Sequence, residues 1–167
     1  MRIQVGAAVV YPPHGVGRIA KREKTVVLGV EEEVVVIDLG NDLSVTLPLS
    51  RARELLRPPL SRTDLGLVQE TLRVEVVPSD ESWPKRMNDA QDKLRRGDPL
   101  ELAEIVRDAV RREQQTTPSG AQVKLSASER ALYSRARESL AREIGLALGD
   151  EGDANAWIDA QLASPGG

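Results

Sequence analysis

The hydrophobic pattern of this 167-residue chain changes its period once, near a Pro58-Pro59 pair. Before the pair, apolar residues alternate with polar ones or form short Val-rich runs such as Glu33–Ile37, which is typical of β-strands. After it, apolar residues recur every three or four positions, as in an amphipathic helix. The sequence therefore predicts an α+β protein in which a small bent β-sheet or barrel precedes a compact all-helical domain.

The predicted domain limits follow from this change of period. We expect a β-rich domain over residues 1–57, a helical domain over 58–163 and a flexible tail over 164–167. Proline cannot continue a paired strand, and a Ser or Asp before an apolar repeat begins a helix. The first helix is predicted to be capped by Thr63 or Asp64 and to run towards Val77, and a loop is predicted over 115–124. The predicted strands are 7–11, 18–28, 33–37 and 43–47, and the other helices begin after Ser82, after Asp98, after Ser126 and near Ala154.

The composition excludes several kinds of active site. Without Cys there is no disulfide, thiolate metal site or Cys nucleophile, and with His14 as the single His there is no His-rich zinc site. No apolar run approaches the ~18 residues of a membrane span, and residues 1–4 open no signal peptide. We therefore expect a soluble, cytoplasmic, monomeric protein that is not an enzyme and uses no metal or cofactor.

The charge is unevenly distributed along the chain. The formal net charge is −3, yet residues 145–167 contain no Lys or Arg and four acids: Asp150, Glu151, Asp153 and Asp159. The rest of the chain is therefore close to neutral. Such a surface can contact nucleic acid weakly but cannot bind it tightly by charge alone.

One of the two Trp residues stands at a predicted helix start. Trp83 follows Ser82 and precedes Lys85 and Arg86. The first N–H groups of a helix are unpaired and favour a phosphate, and an indole can stack on bases or wedge between them. The alternative is that Trp83 packs over Met87, one turn further on, in the helical core. The spacing leaves both interpretations open.

The later predicted helices carry further arginines. Arg107 and Arg111 lie one turn apart on the third predicted helix. Asp108 and Arg112 are four residues apart and can form an ion pair, so we interpret this group of arginines as a solvent-exposed face. The longest predicted helix holds four more with few acids beside them: Arg130, Arg135, Arg137 and Arg142. For these, a solvated face and a phosphate-facing one both remain open.

Four segments of the chain are informative together: Val9–Gly17, Ser82–Arg86, Gly97–Asp108, and Leu125–Arg130 with Arg135–Arg137. In this order they resemble the CarD/CdnL family of bacterial RNA polymerase-binding transcription regulators. They span nearly the whole chain and keep that family's order of strands before helices, so their combination is more specific than any one motif.

The resemblance implies a Tudor-like N-terminal domain that binds the RNA polymerase β subunit by pairing sheet edges. It also implies a helical domain that contacts promoter DNA at the upstream edge of the transcription bubble. Trp83 then corresponds to the family's minor-groove wedge, Lys85 and Arg86 to its phosphate contacts, and Arg130 and Arg135 to further basic positions on the DNA side. The implied mechanism is mechanical, because the wedge slows collapse of the opened duplex and so raises the population of open complex.

Some positions depart from the family pattern. Basic residues that face the polymerase in some relatives correspond to Thr25 and Thr46 here, so Arg22 and Lys24 are candidates to take over that contact. A basic residue that some relatives carry five positions after the Trp is Asn88 here. We therefore keep a second hypothesis, a protein-only adaptor for polymerase or a repair factor, in which the helices make no DNA contact.

Overall fold

The computed structural model describes residues 1–149 and 152–164. These residues form two compact units, the first from Met1 to Pro59 and the second beginning at Leu60. The first unit holds four strands and one helix, and the second holds five helices in its described part. The predicted α+β class is therefore confirmed. Asp150 and Glu151 of the acidic segment, and 165–167 of the predicted tail, lie outside the described residues.

The first unit is an antiparallel sheet in which each strand pairs with the next along the chain. Residues on neighbouring strands that lie directly opposite each other share one face of the sheet. Backbone hydrogen bonds between Val10 and Arg57, at 2.9 and 3.1 Å, tie the end of the unit to its first strand. The strands are β1 (Ala8–Tyr11), β2 (Gly15–Val27), β3 (Val30–Gly40) and β4 (Leu43–Pro48).

One face of this sheet is covered by a short helix that the sequence did not predict. The helix α1 (Leu49–Leu55) follows β4 directly and places Ala52 against the core. Seven residues are too few to show a helical repeat, and Pro48 just before them continues the strand pattern. The sequence analysis was therefore wrong to treat this segment as part of the strand region. The buried residues of this core are Ile3, Val9, Ile19, Val35, Ile37, Leu39, Ala52 and Leu56.

The strands approach closely at Gly17, which is buried in β2 opposite Val9 of β1. A Cβ atom at this position would lie 2.8 Å from the carbonyl oxygen of Asp38 and 2.9 Å from Cγ2 of Ile37. Side chains do not tolerate contacts that short, so this close approach requires a residue without a side chain at position 17.

The second unit packs its helices around one apolar core. Side chains cap three of the helices, since Asp98, Ser126 and Asp153 each accept a hydrogen bond from a backbone N–H of the first turn that follows. The core includes Leu72, Val106, Leu140 and Ile144, all fully buried. The helices are α2 (Leu65–Arg73), α3 (Trp83–Arg96), α4 (Pro99–Glu113), α5 (Ala127–Leu148) and α6 (Ala154–Leu162).

One helix limit and one helix cap differ from the sequence prediction. The helix α2 ends at Arg73 and not at Val77, because the Val-rich segment that follows favours extended backbone and Pro78 disfavours a helical residue before it. Ser82 occupies the N-cap position of α3, as predicted, but its side chain makes no capping hydrogen bond. The N–H groups of the first turn of α3 therefore lack a side-chain cap from Ser82.

The arginines of α4 stabilise the fold, which the sequence analysis did not foresee. Arg107 donates to the carbonyl oxygen of Thr71 at 3.3 Å, and Arg111 donates to those of Leu72 at 3.4 Å and Leu162 at 3.1 Å. Both therefore satisfy carbonyl groups at the C-terminal ends of neighbouring helices, where a cation is favoured.

The prediction of an ion pair between Asp108 and Arg112 is wrong. Asp108 pairs with Arg107 at 2.9 Å, and Arg112 donates to the carbonyl oxygen of Ser79 at 2.9 Å. The intrahelical spacing permits the predicted pair, but the segment before α3 supplies Arg112 with a backbone acceptor instead.

Candidate functional site

Trp83 lies at the first turn of α3 with 44% of its surface exposed. It is not part of the apolar cluster that contains Met87. The indole Nε1 donates to Oγ of Ser126 at 3.3 Å, and Ser126 is the N-cap of α5. The exposure of Trp83 contradicts the alternative in which this side chain is buried in the helical core.

The contact between Trp83 and Ser126 brings together the N-terminal ends of α3 and α5. Each end carries backbone N–H groups without helical partners and the positive end of a helix dipole. In α5, Ser126 satisfies one of them, the N–H of Glu129, at 3.2 Å. Two positive helix ends beside an exposed indole favour a partner that has both flat rings and negative charge.

The two cations after Trp83 differ in their surroundings. Lys85 is exposed, and its Nζ lies 2.6 Å from Oε1 of Glu81, a hydrogen bond that raises the pKa of Lys85. Arg86 is mostly covered: it donates to the carbonyl oxygen of Glu81 at 2.6 Å, and another of its nitrogens lies 3.9 Å from Oε1 of Glu129. Lys85 is accessible to a partner, whereas Arg86 braces the start of α3 against α5.

The arginines of α5 also separate into two kinds. The side chains of Arg130 and Arg135 are exposed and make no hydrogen bond or ion pair within residues 1–149 and 152–164. Arg137 is tied down, since it lies 2.6 Å from Asp159 and donates to Tyr133 and Asn155. At 3.6 residues per turn, Arg135 stands about 140° around the helix from Arg130. The two predicted contacts therefore do not share one face.

A cleft of about 340 Å³ lies behind Arg86 and Arg112, over the buried side chains of Met87, Ile105 and Leu132. Burial, and then the charge of Arg86, lowers the pKa of Arg112. In the described part of the chain, no group of three or more His, Cys, Asp or Glu side chains could hold a metal ion. No helix there is long and apolar enough to cross a membrane.

In the first unit, the register places the predicted polymerase contacts on two different faces. Thr25 lies opposite Glu32, and Thr46 lies opposite Val36. Even-numbered residues of β3 point away from the face that carries buried Val35, so Thr25 and Thr46 share the outer face of the sheet.

Arg22 and Lys24 lie on the other face, because they pair with Val35 and Glu33. Arg22 is also held in place, since it donates to the carbonyl oxygen of Ile3 at 2.8 Å and lies 2.6 Å from Glu33. Lys24 is exposed and makes no ion pair within the described residues. Neither basic residue can replace a charge at Thr25 or Thr46 on the outer face.

Apolar residues extend the outer face beyond Thr25, and the sequence analysis missed them. Val27 and Val30 pair at the end of the hairpin that joins β2 and β3, and both are exposed. Leu28 in the turn is 99% exposed at a φ of 51°. The period-2 pattern around Val27 places Val27 on the same face as Thr25, but it could not show that these apolar side chains are exposed.

Comparison with known proteins follows the same division of the chain. Residues 3–60 match the family model described as the CarD-like/TRCF RID domain, and residues 67–159 match the one described as CarD, C-terminal domain. A relative from Bacillus subtilis, described as "Putative transcription factor YdeB", is 28% identical over 150 residues, which cover 87% of this chain and 92% of the relative.

The C-terminal match alone covers more than half of the chain. The two matched domains follow each other in the order that the sequence resemblance predicted, and the relative is described as a transcription factor. The chain therefore belongs to the CarD/CdnL family of transcription regulators.

Proposed function

We propose that the protein binds the β subunit of RNA polymerase through its first unit and stabilises the open promoter complex through its second. In this proposal Trp83 contacts DNA at the upstream edge of the transcription bubble, and no bond is made or broken. The exposed indole at the start of α3 is the observation that carries the proposal. The protein acts in the cytoplasm, as a monomer, where bacterial polymerase meets promoter DNA.

The chemistry around Trp83 fits the edge of an opened duplex. A base pair at that edge has lost one stacking neighbour, so an inserted indole replaces a contact that melting has removed. The unstacking costs a few kcal/mol per step, which the polymerase has already supplied when the bubble exists. The indole then acts by slowing the return to closed duplex.

The phosphates beside that edge have two accessible cations available. Arg130 comes one turn after Ser126 on α5, and Lys85 can exchange its pairing with Glu81 for a phosphate. Arg86 acts from behind by holding α3 and α5 together. Arg135 serves a DNA contact only where the duplex bends around α5, because it lies on the far side of that helix.

Weak DNA affinity is sufficient for this mechanism. The chain outside the acidic C-terminal segment is close to neutral, so charge alone cannot hold the protein on a promoter. Binding of the first unit to polymerase raises the local concentration of the second unit at the bubble to roughly the millimolar range. The DNA contact then needs to act only within the assembled complex.

The outer face of the sheet is the proposed polymerase surface. Thr25 and Thr46 lie on it, Val27 and Val30 extend it, and the free edge of β4 has no neighbouring strand within the described sheet. An edge strand can add a strand from a partner, while side chains on the face select that partner. Arg22 and Lys24 remain candidates for a second contact on the opposite face.

The lifetime of the open complex on a promoter, measured with cognate polymerase, tests the proposal. We expect the wild-type protein to lengthen this lifetime. With Trp83→Ala the lifetime should be roughly 5- to 100-fold shorter than with the wild type, which is the range expected for loss of one base-stacking aromatic side chain. Leu67→Ala, which truncates another exposed apolar side chain of the second unit, is the matched control and should leave the lifetime unchanged.

The protein-only adaptor is the second candidate, and the near-neutral charge favours it. It predicts that Trp83→Ala and Leu67→Ala behave alike, with polymerase binding intact in both. Protection of promoter DNA at the bubble edge by the wild-type protein, lost in Trp83→Ala, would exclude it.

A further inference from the structure

The hydroxyl group of Ser126 uses all of its hydrogen-bonding capacity. Its Oγ accepts from the backbone N–H of Glu129 at 3.2 Å and from Nε1 of Trp83 at 3.3 Å, and it donates to Oε1 of Glu129 at 3.2 Å. A serine hydroxyl has one donor and two acceptor sites. The cap of α5 and the orientation of the indole therefore depend on one oxygen atom.

We propose that Ser126 is the positioning residue of Trp83, which sets the direction in which the indole faces DNA. This inference rests on the proposed function and names the residue through which it works. An exposed Trp at a helix start can adopt several rotamers, and the hydrogen bond to Ser126 selects one of them. Because the indole N–H donates within the protein, the apolar part of the ring is what remains for a partner.

The neighbours of Ser126 hold it in place for this role. Glu129 fixes the hydroxyl from the first turn of α5, and Arg86 approaches the same carboxylate at 3.9 Å from α3. Arg86 is anchored in turn by the carbonyl oxygen of Glu81 at 2.6 Å. Trp83 and Arg86 both belong to α3, and both contact the start of α5: Trp83 contacts Ser126, and Arg86 approaches Glu129. The two helix starts are therefore connected at two points.

The substitution Ser126→Gly separates this role from helix capping. Glycine is nearly as good an N-cap as serine, but it offers no acceptor to the indole. Ser126→Thr keeps the hydroxyl for both roles. Ser128→Gly is the matched control, because Ser128 lies in the same first turn and its exposed side chain makes no hydrogen bond within the described residues.

The test uses the full chain and two readouts. Proton–nitrogen NMR spectra resolve the indole N–H signals of Trp83 and Trp157, which Trp83→Phe assigns. We expect Ser126→Gly to move the Trp83 signal upfield and to speed its exchange with water, while the Trp157 signal stays in place. The open-complex lifetime should fall about 3- to 10-fold, as for loss of one neutral hydrogen bond, and Ser126→Thr and Ser128→Gly should match the wild type.

Either of two results overturns the proposal. One is an unchanged Trp83 signal in Ser126→Gly, which means that the hydroxyl does not hold the indole. The other is an unchanged lifetime in Ser126→Gly when Trp83→Ala shortens it. If Trp83→Ala itself leaves the lifetime unchanged, the proposed DNA contact fails, and the NMR signal still decides whether Ser126 orients the ring.

Discussion

The sheet and the helical unit present their candidate surfaces in different ways. In the sheet, the period of two assigns each side chain to a face, so Thr25 and Thr46 stand together and Arg22 stands opposite them. In the helical unit, Arg111 and Arg130 look alike in the sequence, yet the first satisfies helix ends and the second faces solvent. The alternation of side chains along a strand is enough to predict which residues share a face. The role of an arginine on a helix can be assigned only when the residues packed around it are known.

The same contrast holds for stability. The sheet depends on backbone pairing and on a close approach at Gly17, while the helical unit depends on side chains that satisfy helix ends. The predictions below test this contrast, from the largest expected effect to the smallest.

A methyl group at the close approach should destabilise the sheet. Gly17→Ala forces Cβ to within 2.8 Å of the backbone oxygen of Asp38, which cannot move without breaking the ladder, so we expect a loss of about 1–3 kcal/mol in the free energy of unfolding. Chemical denaturation measures it. Gly66→Ala in α2, where a Cβ meets nothing within 4 Å, is the control and should stabilise by about 0.5–1 kcal/mol. If the two substitutions changed the free energy of unfolding equally, the close contact at Gly17 would be contradicted.

Removal of a structural arginine should cost more than removal of an exposed one. Arg111→Ala leaves carbonyl groups of Leu72 and Leu162 without their donor, and we expect a loss of roughly 1–3 kcal/mol. Arg142→Ala, on the exposed side of α5, should stay within about 0.5 kcal/mol of the wild type. Thermal unfolding compares the two variants. Equal losses would show that the contrast between these arginines is not real.

A charge on the outer face of the sheet should weaken polymerase binding. Thr46→Glu adds a carboxylate beside Val36 on that face, and we expect the dissociation constant for cognate polymerase to rise about tenfold, which is about 1.4 kcal/mol. Lys24→Glu changes the opposite face and should have a smaller effect. Titration by fluorescence anisotropy measures both. A larger effect from Lys24→Glu would move the proposed contact to the other face.

The hairpin turn should tolerate, and even prefer, a different residue. Leu28 has a φ of 51° and Gly29 a φ of 81° in the turn between β2 and β3, a conformation that asparagine adopts more easily than leucine. We expect Leu28→Asn to stabilise by a few tenths of a kcal/mol, up to about 1. Chemical denaturation checks the sign. A loss of stability would mean that Leu28 makes a favourable contact in the folded protein.

Much of the fold could be predicted from local signals. The end of the first strand at Tyr11 and the helix starts after Asp98 and Ser126 each depend on neighbouring residues, so the sequence shows them directly. The helix α1 escaped prediction because its seven residues are stabilised by Ala52 against the sheet. The end of α2 was misjudged because an apolar repeat continues into a Val-rich segment that is extended.

The candidate site could be predicted only in part. The sequence singled out Trp83, but whether the indole is buried or exposed depends on α5, which begins more than 40 residues later. The roles of Arg86 and Arg137 depend in the same way on Glu129 and Asp159, which come later in the sequence. Such contacts are tertiary, and no spacing rule contains them.

The most direct test of the central claim is a photo-crosslink from position 83 in the complex of polymerase, promoter and full-length protein. With a photoreactive phenylalanine in place of Trp83, we predict a covalent adduct to promoter DNA at the upstream edge of the bubble. The same probe in place of Leu67 should give no such adduct. A complex that binds polymerase normally but gives no DNA adduct from position 83 would contradict the account and favour the protein-only adaptor.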